Sequence, residues 1–233
     1  EKIKYYNPRV SYDGINWWLT VGVERKESIP TQSKDGVGID LGIKELAICS
    51  DGNMYRNINK DKYVRKLIKR KKRLQRCLSR KYEMNKVGKK YVKTKNIIKL
   101  EKHLLKLNHR ISNIRYNYLH QVTTDIIKRE PSFIVIEDLN VRGMMKNRHL
   151  ARSVQEEGFS TFRNMIEYKS LLNGIEVVIA DRFYPSSKLC NNCGYKKVDL
   201  KLKDRTYICP KCGYKKDRDL NAALNLIDYK KKG

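Results

Sequence analysis

The sequence predicts an α/β protein in which a mixed sheet with helices is interrupted by a long basic helical hairpin and followed by a module of paired cysteines. Three observations predict this architecture. Short apolar runs typical of strands lie on both sides of a helical segment. Most of the net positive charge is concentrated in that segment, and four of the six cysteines form two pairs with the same spacing.

The first strands are predicted from short runs of β-forming residues. Residues 17–23 are rich in them. Further apolar runs occupy residues 36–42 and 46–49, and Asp51-Gly52 is a hairpin signal that leads into a third run. We therefore expect three antiparallel strands from residue 36 onwards.

The segment from Lys60 to Arg115 carries 22 Lys and Arg and 3 Asp and Glu, a net charge of +19. An apolar stripe runs through it, which distinguishes it from a disordered basic tail. In the second half this stripe has the alternating three- and four-residue steps of a coiled-coil seam, formed by Ile97, Leu100, Leu104, Leu107, Ile111, Ile114 and Tyr118. A shorter stripe, broken near Gly88, consists of Val64, Leu67, Leu74 and Leu78. The pattern predicts two long antiparallel helices with a basic surface, the second on the order of 50 Å long.

Beyond Pro131, which ends the second helix, strands and helices alternate again. Residues 133–137 are a continuous apolar run, as expected of the buried centre of a parallel sheet. A helix is predicted over about Val154–Leu172, Gly174 fits its C-terminal cap, and residues 175–180 are the next strand. The predicted order is three strands, the helical insertion, a strand, a helix, a strand, the cysteine module and a final helix.

The net charge of +27 points to a polyanionic partner, because like charges repel within a compact fold. Nucleic acid is the default polyanion, and an anionic membrane surface is the alternative. No apolar run approaches the roughly 18 residues of a membrane span, and no secretory signal opens the sequence, so we expect no membrane association. Six cysteines in such a chain favour metal or free thiols in a reducing, cytoplasmic compartment over a disulfide framework.

The four paired cysteines have the spacing of a metal site. Cys190 and Cys193 form one Cys-x-x-Cys pair, Cys209 and Cys212 form the other, and each pair is followed by Gly-Tyr. Two such knuckles complete a tetrahedral sulfur site, which suits structural Zn²⁺ and leaves no open position for catalysis. The alternatives are unrelated thiols or a redox pair. We expect the other two cysteines, at positions 49 and 77, to pack in a strand and a helix.

Carboxylates at three places could form a second metal site. Asp40 lies within the first apolar strand, Glu137 ends the buried strand, and Asp217 and Asp219 precede the last helix. Burying a carboxylate is costly unless it is paired or ligated, and converging carboxylates suit Mg²⁺ or Mn²⁺. Glu137 and Asp138 should face opposite sides of the sheet, so only one can serve a given site.

Each of these signals has a simpler interpretation. The run Gly-Ile-Asp-Leu-Gly around Asp40 also occurs in actin-like ATPases, where it binds phosphate. Glu137 could face solvent at a strand end, and Asp219 could be only the N-cap of the last helix.

Taken together, the segments resemble the C-terminal part of the transposon-encoded TnpB (OrfB) family, which is related to the type V CRISPR effectors. The resemblance covers nearly the whole chain from about Gly36 onwards. It is carried by residues 38–42, 136–141, 186–213 and 217–225.

The resemblance implies an RNase H-like (RuvC-type) fold and a divalent-metal-dependent DNA endonuclease guided by RNA. It assigns Asp40, Glu137 and Asp219 as the catalytic ligands of two Mg²⁺ or Mn²⁺ ions, with Asp217 as a neighbour. DNA and a guide RNA are the implied partners. A non-catalytic nucleic-acid-binding regulator of the same fold is the alternative function.

The resemblance also implies a domain plan. Family members carry an N-terminal region that holds the guide RNA, and only about 35 residues precede the strand of Asp40 here. The expected parts are a remnant of that wedge-like β region over residues 1–34, a nuclease core over 35–185 that includes the helical insertion at 60–130, the zinc ribbon at 186–214, and a last nuclease segment with its helix at 215–233.

Overall fold

The structure, a computed structural model, describes residues 3–24, 35–201 and 204–232. Residues 25–34, part of the predicted N-terminal region, lie outside the described residues. The chain forms two compact units, one of Glu1–Glu27 with Asn59–Asn117 and one of Ser28–Ile58 with Tyr118–Gly233. Within the described residues, no helix is both long and apolar enough to cross a membrane.

The strands are β1 (Tyr5–Tyr12), β2 (Trp17–Val23), β3 (Val37–Leu41), β4 (Glu45–Cys49), β5 (Met54–Arg56), β6 (Lys86–Val87), β7 (Lys90–Tyr91), β8 (Phe133–Glu137), β9 (Glu176–Ala180), β10 (Thr206–Ile208) and β11 (Lys215–Asp217). The helices are α1 (Lys62–Met84), α2 (Lys95–Ile127), α3 (Val141–Met145), α4 (Ala151–Glu157), α5 (Phe159–Leu172) and α6 (Arg218–Lys232). Two 3-10 turns lie at Ile58–Lys60 and Ser186–Lys188.

The first unit contains the predicted helical hairpin and an antiparallel β1–β2 ribbon. Leu67 of α1 packs against Leu107 and Ile111 of α2. Near the other end of α1, Tyr82 donates a hydrogen bond to Glu101 of α2. These contacts pair the start of α1 with the middle of α2 and the end of α1 with its beginning, so the helices are antiparallel, as predicted.

The second unit is built on a five-stranded mixed sheet in the order β5-β4-β3-β8-β9. The pairs β3–β4 and β4–β5 are antiparallel, whereas β3–β8 and β8–β9 are parallel. The three predicted antiparallel strands and the predicted buried parallel strand are therefore confirmed.

Alternation along the strands divides the sheet into two faces. Ile134 and Ile136 of β8 point into the main core, which contains residues of α4, α5 and the last turns of α2. Val135, between them, packs with Ala180 and Leu226 of α6 in a smaller core. Gly38 and Asp40 of β3 lie on the same alternation as Val135, so both belong to the face covered by α6.

Gly38 allows α6 to approach this face closely. A Cβ at position 38 would lie 2.1 Å from the backbone oxygen of Ala223 in α6, and that oxygen cannot move without displacing the helix. Any residue larger than glycine would therefore push α6 away from β3.

The prediction of one helix over Val154–Leu172 was wrong. Two helices occupy this region, because Gly158 adopts a left-handed conformation with φ +70° that ends α4 and begins α5. Residues with a Cβ rarely adopt this conformation, which glycine tolerates. A Cβ at Gly158 would also lie 3.3 Å from Leu119 of α2.

Candidate functional site

A cavity of about 680 Å³ opens on the α6 side of the sheet, and we call it the acidic cavity. Asp40, Glu137 and Asp219, which lie far apart in the sequence, all line it. Parallel pairing explains the first two, because β3 and β8 are aligned with Ile39 beside Ile136. The next pair in this register is Asp40 and Glu137.

Asp40 and Glu137 are close enough for the charge of one carboxyl group to affect the other. Burial raises the pKa of Asp40 well above its ordinary value, and the nearby charges of Glu137 and Asp219 raise it further, while Arg218 lowers it. Two adjacent carboxylates repel each other when both are ionised. A bound divalent cation relieves that repulsion, so this donor set fits Mg²⁺ or Mn²⁺.

Glu137 is oriented by a residue that the sequence did not identify as functional. Ser186, in the 3-10 turn Ser186–Lys188, donates a hydrogen bond of 2.7 Å to Oε1 of Glu137. Ser186 is itself buried. Its position within the stretch that resembles TnpB was the only sequence signal.

Asp138 also lines the acidic cavity, so the prediction that only one of Glu137 and Asp138 can serve a given site was wrong. Strand β8 ends at Glu137, and the alternation of strand side chains does not extend to Asp138. Oδ1 of Asp138 is 3.0 Å from Nη1 of Arg163 in α5, and its Oδ2 is 2.5 Å from Nη2 of Arg182. Asp138 therefore neutralises two arginines, and Glu137 is the carboxylate that meets Asp40.

Asp219 is held by arginine in this structure. Its Oδ1 accepts hydrogen bonds from Nε and Nη2 of Arg218 at 2.9 and 2.8 Å, and Oδ2 lies 3.8 Å from Arg205. Among the described residues, the only group of three or more metal-type ligand atoms within 4.8 Å of one another is the cysteine set. The three carboxylates thus share a cavity without closing into a compact cage.

Asp217, not Asp219, caps the final helix. Its Oδ1 accepts from the backbone N–H groups of Asp219 and Leu220 at 3.0 and 3.1 Å. The alternative of Asp219 as a mere N-cap is therefore wrong, because another aspartate already satisfies the free N–H groups of the first turn.

The four predicted zinc ligands come together in the ribbon. The sulfurs of Cys190, Cys193, Cys209 and Cys212 all lie within 4.8 Å of one another. Gly194 and Gly213, with φ of +73° and +72°, make the tight turn of each knuckle. The buried Tyr207 packs against the cluster. The donor set, its geometry and its closure fit structural Zn²⁺.

The thiols of the cluster differ in electrostatic setting. Burial raises the pKa of Cys190 to about 12. A backbone hydrogen bond from Tyr214 and a side-chain hydrogen bond from Asn192 lower the pKa of Cys212 to about 6. Backbone N–H groups directed at a sulfur stabilise the thiolate form that Zn²⁺ binds.

Two buried asparagines on one face of α6 bind this helix to the start of the ribbon. Asn221 donates to the backbone oxygen of Leu189 at 2.7 Å, and Asn225 donates to those of Ser186 and Leu189 at 2.7 and 2.8 Å. Sequence reasoning gave neither residue a role. Their i, i+4 spacing, which places both on one helix face, was the available signal.

The described residues thus define a metal-binding α/β protein, with an acidic cavity next to a four-cysteine zinc site and a separate, strongly basic helical unit. The model of the OrfB_IS605 family, described as a probable transposase, matches residues 19–148, and the model of the Cas12f1-like TNB domain matches residues 159–226. The first match covers more than half of the sequence. The chain belongs to the OrfB_IS605 family, which confirms the resemblance to TnpB.

Relatives from bacteria agree with this assignment. The chain is 35% identical over 211 residues to a "Putative RNA-guided DNA endonuclease" of Streptomyces pristinaespiralis, covering 91% of this chain and 49% of the relative. It is 32% identical over 237 residues to "Putative RNA-guided DNA endonuclease InsQ" of Escherichia coli (strain K12), covering 95% and 56%. The chain therefore spans about half the length of these relatives.

Two solved structures share the fold. A CRISPR-Cas12f ternary complex superposes with a TM-score of 0.62 at 20% identity, covering 94% of this chain and 44% of that one. A Cas12f1-sgRNA-target DNA complex gives a TM-score of 0.58 at 20% identity, covering 95% and 55%.

Proposed function

We propose that this chain is the catalytic part of a divalent-metal-dependent DNA endonuclease that is guided by RNA, with an RNase H-like (RuvC-type) sheet. The observation that carries the proposal is the pairing of Asp40 with Glu137 on adjacent parallel strands, in a cavity that Asp219 also lines. Placing two carboxylates side by side on a largely buried sheet costs free energy, because burial and mutual repulsion both disfavour their charged forms.

Asp40, Glu137 and Asp219 are the residues that would hold two Mg²⁺ or Mn²⁺ ions. When bound, such ions supply the charge that activates water and stabilises the leaving oxygen of a phosphodiester. Ser186 fixes the rotamer of Glu137 through its hydrogen bond. Arg218 binds Oδ1 of Asp219, and Oδ2 of the same carboxylate would serve as the ligand oxygen.

The acidic cavity is lined by six carboxylates and six cationic side chains, so bound divalent cations would supply the net positive charge that attracts a phosphodiester. Lys188, Arg182, Arg205 and Arg218 line the cavity together with the acids. In the other unit, the segment from Lys60 to Arg115 has a net charge of +19, which favours binding along a phosphate backbone with strong salt dependence. The names of the bacterial relatives, which are described as putative RNA-guided DNA endonucleases, support DNA as the substrate and RNA as the guide.

The paired state of Asp219 supports a second candidate. A nucleic-acid-binding regulator of the same fold would keep Asp219 neutralised by Arg218 and never assemble the metal ligands. The two candidates differ in whether the acidic cavity binds a divalent cation and cuts DNA.

The test is a cleavage assay of the zinc-loaded chain on labelled single-stranded and duplex DNA with Mg²⁺ or Mn²⁺. We expect cutting of single strands that Asp40→Ala abolishes. The matched control is Asp199→Asn, which removes an exposed carboxylate of the ribbon outside the acidic cavity and should cut like the parent chain.

If the chain alone does not cut, the assay is repeated with the corresponding full-length protein and its guide RNA. Cutting that appears only there, and is lost with Asp40→Ala, supports the endonuclease and assigns targeting to the additional region. Absence of cutting in both, with zinc bound and nucleic acid still retained, supports the binding-only regulator.

A further inference from the structure

A second cavity, of about 540 Å³, lies entirely within the first unit. Its volume is in the range of about 300–1,000 Å³ that small-ligand sites occupy. One side is the turn between β1 and β2 together with Trp18, and the other is a face of α2. We call it the Trp18 cavity.

The indole of Trp18 is held in place while it remains accessible. Its Nε1 donates a 2.7 Å hydrogen bond to Oδ2 of Asp13, and the side chain is 52% exposed. Asp13 is anchored in turn by the backbone N–H groups of Ile15 and Asn16, at 2.8 Å each. These bonds keep the pKa of Asp13 low, at about 2, so its charge is permanent and already compensated by donors.

The α2 side of the cavity presents cations and amides. Lys106 and Arg110 are four residues apart, and Asn113 and Asn117 continue the same face of the helix. The guanidinium of Arg110 also lies 5.5 Å from the centroid of the Tyr63 ring, so a second aromatic ring is nearby. Asn113 and Asn117 are exposed, and their side-chain amides make no hydrogen bond within the part of the chain that the structure describes.

We propose that the Trp18 cavity binds one unstacked nucleotide of a single-stranded nucleic acid. The indole stacks on the base, Lys106 and Arg110 bind the adjoining phosphates, and the amides of Asn113 and Asn117 contact the edge of the base. An aromatic platform beside cations is the arrangement by which proteins hold single strands, and amides offer both the donor and the acceptor that a base edge needs. The proposal deepens the proposed function, on which it rests for nucleic acid as the partner.

The neighbouring Trp17 provides a matched control. Consecutive strand residues point to opposite faces, and only Trp18 of the two lines the cavity. Trp17 instead contacts the ring of Tyr12, with 4.8 Å between centroids, and is 73% exposed. A general effect of removing an exposed tryptophan would appear equally in both variants.

The experiment measures binding of single-stranded oligonucleotides to the zinc-loaded chain at physiological ionic strength, without Mg²⁺ or Mn²⁺. The probes are homopolymers of thymidine, deoxyadenosine, uridine and adenosine. The chain contains two tryptophans, so a Trp17→Phe variant reports on Trp18 alone. We expect saturable quenching of its fluorescence, and a loss of affinity of about 5-fold or more in Trp18→Ala.

Three further variants sharpen the result. Trp17→Ala should change affinity less than 2-fold, and Trp18→Phe, which keeps a ring but loses the bond to Asp13, should retain most of the affinity. The double variant Asn113→Ala with Asn117→Ala should reduce the preference between bases. Tighter binding of the uridine and adenosine probes than of their deoxy counterparts would assign the site to RNA, and the reverse to DNA.

Equal affinities of Trp18→Ala and Trp17→Ala, or unquenched Trp18 fluorescence with oligonucleotide bound, would overturn the proposal and assign the cavity to another occupant. Complete absence of oligonucleotide binding would overturn it as well. This experiment measures binding and the endonuclease is tested by cleavage, so binding through Trp18 with no cleavage in either assay described above would reject the endonuclease and leave the Trp18 proposal standing.

Discussion

The cysteine cluster and the acidic cavity are both metal-type sites, yet they differ in how completely this chain assembles them. The four sulfurs lie within 4.8 Å of one another around a buried tyrosine, whereas the three carboxylates share a cavity of about 680 Å³ and one of them is bound to Arg218. The two cysteines of each pair are close in the sequence, so one tight turn per pair is enough to bring their sulfurs together. The three carboxylates come from β3, β8 and α6, and because like charges repel, they are not drawn together in the absence of a divalent cation.

The largest effect is expected from removing a ligand of the four-cysteine cluster. Cys190→Ser removes one of four ligands, and zinc binding of this kind contributes about 10–16 kcal/mol of apparent free energy that is also folding free energy. We expect the variant to lose its zinc and hydrogen-exchange protection over residues 186–214. Cys77→Ser, which alters a cysteine of α1 outside the cluster, should keep one zinc per chain by metal analysis. A Cys190→Ser protein with full zinc content would contradict the assignment.

The next largest effect is expected on the rate of DNA cleavage at the acidic cavity. Glu137→Gln preserves the shape of the side chain but removes the charge, so the rate of DNA cleavage should fall by on the order of 10³-fold or more. The zinc content should stay unchanged, which separates the two sites. Asp138→Asn alters the adjacent carboxylate that binds Arg163 and Arg182, and measurable cleavage should survive it. Equal losses in both variants would argue against the specific role of Glu137.

A smaller effect is expected from the residue that orients Glu137. Ser186→Ala removes the 2.7 Å hydrogen bond to Glu137 and should weaken Mn²⁺ binding by about 10- to 100-fold, the usual cost of losing a partner of a metal ligand. Ser187→Ala, which leaves that bond intact, is the control. Electron paramagnetic resonance titration of Mn²⁺ measures both. Identical Mn²⁺ affinities would reduce Ser186 to a packing role.

The smallest effect is on stability, and it has the opposite sign. The pKa of Asp40 in the folded protein is raised above its ordinary value of 3.8, so the folded state holds a proton that the unfolded chain has released. Stability is therefore lost as the pH rises from about 3.8 through the raised pKa.

Asp40→Asn cannot ionise and should escape this loss. Without Mg²⁺ or Mn²⁺ at neutral pH, we expect it to gain about 1 kcal/mol, which is about 2–4 °C in the melting temperature of a chain of this size. Calorimetry across the acidic and neutral range measures the change. A variant that melts below the parent chain at every pH would show that the Asp40 carboxylate stabilises the cation-free protein instead.

Patterns in the sequence predicted those features that are formed by residues close together along the chain. The stripes of α1 and α2, the apolar run of β8 and the two Cys-x-x-Cys pairs each lie within a few turns or residues, so spacing alone indicated their structure. The break at Gly158 could not be predicted from the apolar stripe, because the stripe continues through both α4 and α5. The glycine itself was the only signal, and glycine is tolerated within many helices at modest cost.

The sequence predicted which carboxylates line the acidic cavity, but it did not predict which groups each carboxylate contacts. Asp217 and Asp219 are both suitable caps before the same helix, and only the backbone conformation determines that Asp217 accepts the free N–H groups. The arginine that holds Asp219 is its sequence neighbour, yet side-chain pairing between adjacent residues has no periodic signature. The hydrogen bond from Ser186 joins residues 49 positions apart, which no local pattern records.

The close approach of α6 to Gly38 has a consequence for synthesis. The strand that carries Asp40 precedes the zinc ribbon in the sequence, whereas the helix that covers this strand and brings Asp219 follows the ribbon. A nascent chain therefore exposes the Gly38 face of its sheet, and has an incomplete set of carboxylates, until the ribbon has emerged from the ribosome. The order of residues along the chain thus delays any chemistry at the acidic cavity until the metal-binding module is already present.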